Sequence, residues 1–248
     1  MSLATMLKRN EFLTKLDLSR NRFSSTGIQF LSKGLVKSKF NNLQELYLED
    51  NDHLGAGALD SIFEVLCRRN AGGGDCSTLK VLSLSGTKIY SAGAAKIGQV
   101  LRLNQTLETL NLSNCALTKE PPNAKSTSIR KKIRNDSGLI EVCKSMAYNS
   151  GLRVLDLSSN AMVTQEFVAI VIYLKTNPRT TLEHLKVHDN QIGISMAQFR
   201  PLIIEEVLTN AALQRIDLYS NPTGVGVTKE LAVLMQRKKA QPSFVNFG

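Results

Sequence analysis

The chain has 248 residues, 42% of them hydrophobic, and carries 31 Lys and Arg against 21 Asp and Glu for a formal net charge of +10. No charged segment followed by an apolar run opens it, and no stretch of about 18 uninterrupted apolar residues occurs, so neither a secretion leader nor a spanning helix is expected. Cys67, Cys76, Cys115 and Cys143 fit neither the paired flanking clusters of a secreted protein nor a close-set metal pattern, so reduced thiols in the cytoplasm are expected.

In chain order, residues 1–12 have helical spacing and align with the second half of a later helix, Leu7 against Leu101 and Asn10 against Asn104. The chain therefore opens part-way through a unit: a piece of a longer chain, a helix that is itself a minimal cap, and an end covered by a partner all fit. The frame L-x-x-L-x-L-x-x-N/C follows at Leu13-Leu16-Leu18-Asn21 and Leu43-Leu46-Leu48-Asn51. It returns at Leu79-Leu82-Leu84-Thr87, Leu107-Leu110-Leu112-Cys115, Leu152-Leu155-Leu157-Asn160, Leu182-Leu185-Val187-Asn190 and Leu213-Ile216-Leu218-Asn221. Each frame alternates apolar and polar residues over five or six positions, which predicts a short, half-buried strand.

Helical spacing follows each turn. Ala94, Ala95, Ile97, Val100 and Leu101 form one apolar stripe, and Phe167, Ile170, Val171 and Leu174 another. The 28 residues from Leu79 to Leu107 leave room for a helix of about three turns. One strand and one helix cannot enclose a core, so each unit must bury its leucines against its neighbours. The predicted fold is an α/β, right-handed leucine-rich repeat solenoid of about seven repeats. A parallel sheet lines its concave side and helices its convex side, in a single domain over 1–248. Cys115 takes a position otherwise held by asparagine and is expected to face the buried turn there.

Two intervals break the period. From Leu43 to Leu79 is 36 residues, the excess lying in the Gly-rich loop at 70–77, after a helix expected to end near Arg69. A phosphate cradle is not expected there, because no Gly-Lys-Ser/Thr follows and the strand comes after the loop. From Leu107 to Leu152 is 45 residues, with a basic insertion at 119–137 that opens on Pro121 and Pro122. The insertion carries six basic and two acidic side chains, including Arg130, Lys131, Lys132 and Arg134, and so supplies four of the ten excess positive charges. Three readings stay open for this auxiliary basic loop: a solvated excursion, a contact for an acidic protein surface, and a contact for nucleic acid or anionic lipid.

The frame with its long helix, and asparagine three residues before the first leucine at Asn10, Asn104, Asn149 and Asn210, resembles the ribonuclease-inhibitor-like class of leucine-rich repeats. That class includes ribonuclease inhibitor, Ran GTPase-activating proteins, sensor domains of innate immune receptors and leucine-rich actin regulators. The resemblance implies an intracellular, non-catalytic protein-binding scaffold whose partner sits on the strand residues of the concave face. Regulation of a small GTPase or of actin assembly, and a structural role in a ribonucleoprotein using the basic insertion, are the alternatives. The basic C-terminal run Arg237, Lys238 and Lys239 departs from the acidic segment typical of the Ran GTPase-activating relatives.

On that face, the frame positions place Tyr47, Glu49, His184, Lys186, His188, Arg215, Asp217 and Tyr219 as candidate partner-binding residues, most of them in the C-terminal third. Tyrosine and arginine combine large contact area with directional polar groups. His184 and His188 lie about 13 Å apart along a strand at about 3.3 Å per residue, too far to share one ion. Neither catalytic residues nor a cofactor or metal are expected. The oligomeric state and the partner's identity are left open by the residues.

Overall fold

The computed structural model describes residues 3–36, 42–67, 77–120, 137–195 and 212–236, the last without 225, 228, 232, 234 and 235. The Gly-rich residues 70–76, Arg69, the basic run Arg130, Lys131, Lys132 and Arg134, Asn210 and the C-terminal run at 237–239 lie outside this set.

Helix and strand alternate as α1 (Leu3–Arg9), β1 (Lys15–Asp17), α2 (Ser25–Val36), β2 (Glu45–Tyr47), α3 (Gly57–Leu66), β3 (Val81–Ser83) and α4 (Tyr90–Leu101). They continue as β4 (Thr109–Asn111), α5 (Gly138–Ser145), β5 (Val154–Asp156), α6 (Thr164–Lys175), β6 (His184–Lys186) and β7 (Arg215–Asp217). All seven strands form one parallel sheet in sequence order, β1 to β7. Leu16, Leu46, Leu82, Leu110, Leu155, Leu185 and Ile216 pair in one unbroken register.

That register follows from the frame. Its second leucine is the middle residue of every strand and points into the core, so the residues on either side of it must point out on the opposite face. The middle leucines from Leu46 to Leu185 are all at most 2% exposed. Burying each such leucine contributes roughly 1.5–3 kcal/mol. Leu13, Leu16 and Leu18 are only half-buried, whereas Leu213, Ile216 and Leu218 at the other edge of the sheet are at most 7% exposed.

The strands are three residues long instead of the expected five or six. Backbone pairing does continue, with Leu18 N–H donating to the Tyr47 carbonyl (2.9 Å) and Arg20 N–H to that of Glu49 (2.8 Å). The chain then turns inward at one fixed point per repeat, the residue before the N/C position. Arg20, Asp50, Gly86, Asn114, Ser159, Asp189 and Ser220 all have φ between 52° and 71°. Only one of the seven is glycine, although the left-handed region disfavours any residue with a Cβ.

What holds these turns is a ladder of buried side chains. Asn160 Oδ1 accepts from the backbone N–H of Cys115 (3.0 Å) and Leu117 (3.2 Å) in the preceding repeat. Its Nδ2 donates to the carbonyls of Leu112 (2.8 Å), Leu157 (3.2 Å) and Ser158 (3.0 Å). Asn51 and Asn190 bridge adjacent repeats the same way. Cys115 joins the ladder as expected: fully buried, its thiol donates to the Leu84 carbonyl (3.0 Å).

A second set of asparagines closes the helix ends, where carbonyls lack an intrahelical partner. Asn149 Nδ2 donates to the carbonyls of Leu101 and Asn104, and its Oδ1 accepts from Leu152 N–H (2.9 Å). Asn104 and Asn10 anchor Leu107 and Leu13 alike. In the sixth repeat the role falls to Asn177, five residues before Leu182 instead of three, through the carbonyls of Met146 and Asn149. Neighbouring helices pack in sequence from α1 to α6. The α4–α5 approach is the tightest to explain: a Cβ on Gly98 would run into the backbone of Glu141 and Val142.

Candidate functional site

The outward residues of the sheet form three rows. Lys15, Glu45, Val81, Thr109, Val154, His184 and Arg215 pair laterally in one, and Asp17, Tyr47, Ser83, Asn111, Asp156, Lys186 and Asp217 in the next. Ser19, Glu49, Ser85, Ser113, Ser158, His188 and Tyr219 follow two positions further along each strand. These rows decide which side chains can touch, since neighbouring strands stand about 4.8 Å apart.

At the N-terminal side, Lys15 pairs with Glu45 (3.1 Å) and stands over the Tyr47 ring (4.8 Å), while the Tyr47 hydroxyl donates to Glu45 (3.0 Å). The hydrogen bond to Glu45, and its charge, raise the Lys15 amine above its ordinary range. Hydrogen bonds from Lys15 and then Tyr47 hold the Glu45 carboxyl below its own. The Tyr47 hydroxyl is raised, first by burial and then by its bond to Glu45.

The C-terminal third converges on Asp217. His184 Nε2 stands 2.8 Å from its Oδ2, and Arg215 Nε donates to its Oδ1 at 2.7 Å. Burial pushes the Asp217 carboxyl up, but the hydrogen bonds from Arg215 and His184 outweigh it and the net displacement is downward. His188 turns elsewhere: its Nδ1 meets Asp189 (2.7 Å), and its ring stacks on Tyr219 at 4.3 Å between centroids and 11° between planes. The stack leaves Tyr219 54% exposed, an aromatic anchor braced from behind. The two histidines thus serve different carboxylates. Among the described residues no group of three or more His, Cys, Asp or Glu is placed to hold a metal ion.

Between these ends the sheet is hollow. The small side chains of β3 and β4 leave a depression of about 150 Å³ between a wall made by Tyr47 and Glu49 and one made by Asp156 and Lys186, over a floor of Val81, Ser83, Thr109, Asn111 and Val154. Tyr47 and Glu49 therefore share a site with Lys186, from which they are separated by more than 130 residues of sequence. Arg215, Asp217, Tyr219 and the histidines lie beyond it. Asp156, Ser83 and Asn111 were not singled out from the sequence; the signal was the run of small residues on two adjacent strands between larger ones. A second depression, about 400 Å³, lies on the helical side between α5 and α6, lined by Ile140, Lys144, Glu166, Ala169 and Tyr173 among others.

Leucine-rich repeat families match residues 9–32, 75–98 and 106–126. The ribonuclease inhibitor of Sus scrofa is 32% identical over 161 residues, which are 64% of this chain and 30% of that protein. Protein CARMIL of Dictyostelium discoideum is 26% identical over 164 residues, 65% of this chain and 13% of that protein. The chain thus spans under a third of the length of either relative. Among solved structures, the tropomodulin C-terminal domain of Caenorhabditis elegans aligns over 96% of this chain and 91% of that one, with 10% identity and a TM-score of 0.37. The repeating frame, its ladder of buried side chains and the family-model matches show leucine-rich repeats in this chain. Its helix-backed repeats and asparagine- or cysteine-closed turns resemble those of the ribonuclease-inhibitor-like class. Among the described residues no helix is long and apolar enough to cross a membrane.

Proposed function

We propose that this protein is a non-catalytic cytoplasmic scaffold that binds a protein partner through its concave sheet. The observation that carries the reading is the sheet itself. Seven strands in one register offer 21 outward positions in three lateral rows, and their chemistry changes from a Lys-Glu-Tyr cluster through a small-residue hollow to a His-Arg-Asp-Tyr cluster. Pre-arranged polar groups around the half-buried Tyr47 and the exposed Tyr219 lose little entropy on binding. Tyr47, Glu49, His184, Lys186, His188, Arg215, Asp217 and Tyr219 are the contact residues in this reading, with Arg130, Lys131, Lys132 and Arg134 as an auxiliary edge contact.

The test is affinity capture from cell lysate with the intact chain, with Arg215→Ala/Tyr219→Ala, with Tyr47→Ala and with a chain lacking 119–137, each at low and high salt. Concave-face recognition predicts a discrete protein that survives high salt and the deletion and is lost with the sheet variants. Loss with the deletion, or collapse between low and moderate salt, would move the function to the basic loop and a nucleic-acid partner. A ribonuclease, actin and a panel of small GTPases belong among the purified partners assayed.

A further inference from the structure

We propose that the hollow over β3 and β4 receives the side chain of an arginine from the partner protein; the proposal rests on the concave-sheet reading and names the chemistry of its anchor. Size comes first. Pockets for cofactors and metabolites run to about 300–1,000 Å³, so a depression of about 150 Å³ suits one side chain and little else.

Charge comes second. The three outward rows carry five acidic residues against three basic ones, with the histidines neutral, in a chain whose total is +10. The hollow itself holds two carboxylates on opposite walls, Glu49 and Asp156, against the single ammonium of Lys186. This face selects a cation although the chain as a whole repels one.

Hydrogen-bond capacity comes third. Glu49 has one oxygen engaged by the Ser83 hydroxyl (2.6 Å), which leaves Oε2 for an incoming donor. Asp156, only 8% exposed, has Oδ1 engaged by the backbone N–H and hydroxyl of Ser158. Its Oδ2 has only Lys186 Nζ at 3.5 Å, beyond the roughly 2.7–2.9 Å of a charge-assisted hydrogen bond. An Asp156 oxygen that lines the hollow without a short donor is open to one brought by a ligand.

The floor decides between cations. Val81 and Val154 offer apolar surface to a methylene stem, and a planar guanidinium, with its donors in a fixed fork, meets a carboxylate bidentately where lysine brings a single compact charge. Lys186, about a third exposed, can yield its place beside Asp156 by moving outward.

The experiment is a titration of the whole ¹⁵N-labelled chain with acetyl-Gly-Arg-Gly-amide, followed by amide chemical shifts, beside the same peptide with citrulline for arginine. The expected result is movement of the Ser83, Thr109 and Asn111 amides by the arginine peptide, with citrulline about tenfold weaker or more. Glu49→Gln should weaken the arginine response about tenfold at an unchanged unfolding midpoint. Thr109→Arg, which places a tethered guanidinium in the hollow, should abolish it. An equal response to citrulline, movement confined to other parts of the sheet, or no movement at tens of millimolar peptide overturns the proposal. If capture of the partner is lost in Arg215→Ala/Tyr219→Ala while those three amides stay still, this proposal alone fails. If capture is unaffected by every sheet variant, Thr109→Arg included, the concave-sheet reading fails and this one with it.

Discussion

Replacing Asn160 by alanine should cost far more than the loss of one polar surface group, because its amide closes two repeats at once. In the native state it satisfies the buried N–H groups of Cys115 and Leu117 and donates to three carbonyls. Alanine leaves both N–H groups without their acceptor in a position too buried for bulk water. An unsatisfied buried donor costs about 1–3 kcal/mol, so the two together give roughly 2–6 kcal/mol. A domain's whole stability is only about 5–15 kcal/mol, so the variant should stand near the edge of folding. Asn21, at the exposed end of the same ladder, donates only to the Ser19 carbonyl and serves as the control, with an expected loss under about 0.5 kcal/mol for Asn21→Ala. Urea unfolding followed by far-ultraviolet circular dichroism gives both values from the midpoint shift at a common slope. Equal midpoints for Asn160→Ala and Asn21→Ala would refute the argument that the ladder ties the repeats together.

Three further outcomes are expected. Gly98→Ala should destabilise by up to about 2 kcal/mol, because its Cβ meets the α5 backbone and not a movable side chain, and overpacking of about 1–3 kcal/mol is offset by about 1 kcal/mol of helix propensity; a rise in melting temperature would contradict it. The Cys115 thiol is pushed up from 9.0 to about 12 by burial, so between those values the unfolded chain has released a proton that the folded chain keeps. Stability should then fall by about 1.4 kcal/mol per pH unit above pH 9.0, and Cys115→Ser should flatten that slope in urea midpoints taken at pH 8 and about 10. The Asp217 carboxyl is held below its ordinary 3.8, so its contribution is complete above that value and is lost as pH falls through the folded one; Asp217→Asn should lessen the loss of stability between about pH 4 and 2, and an unchanged acid limb would contradict the pairing with Arg215 and His184.

The amino-acid sequence by itself determined the repeat number, the parallel register and the membership of the three outward rows. The physical reason is the period of two along a strand: once Leu16, Leu46 and their counterparts must face inward, Lys15 and Asp17 cannot, and equal frames stack in register because each leucine buries best against its counterpart. The ladder was legible too, since Cys115 stands where the other repeats carry asparagine or threonine. What only the tertiary structure decided depends on neighbours remote in sequence. The left-handed turns at Arg20, Asn114, Ser159 and Asp189 are held by the amides of Asn51, Asn160, Asn190 and Asn221 from the next repeat, so no local glycine signal marks them. Asn177 takes over the helix-end role from two residues further back because the carbonyls it serves belong to α5 and the turn after it. The hollow exists because small residues of β3 and β4 happen to lie beside Tyr47 and Glu49 on one flank and Asp156 and Lys186 on the other. Its shape is a property of four strands together, and no single frame contains it.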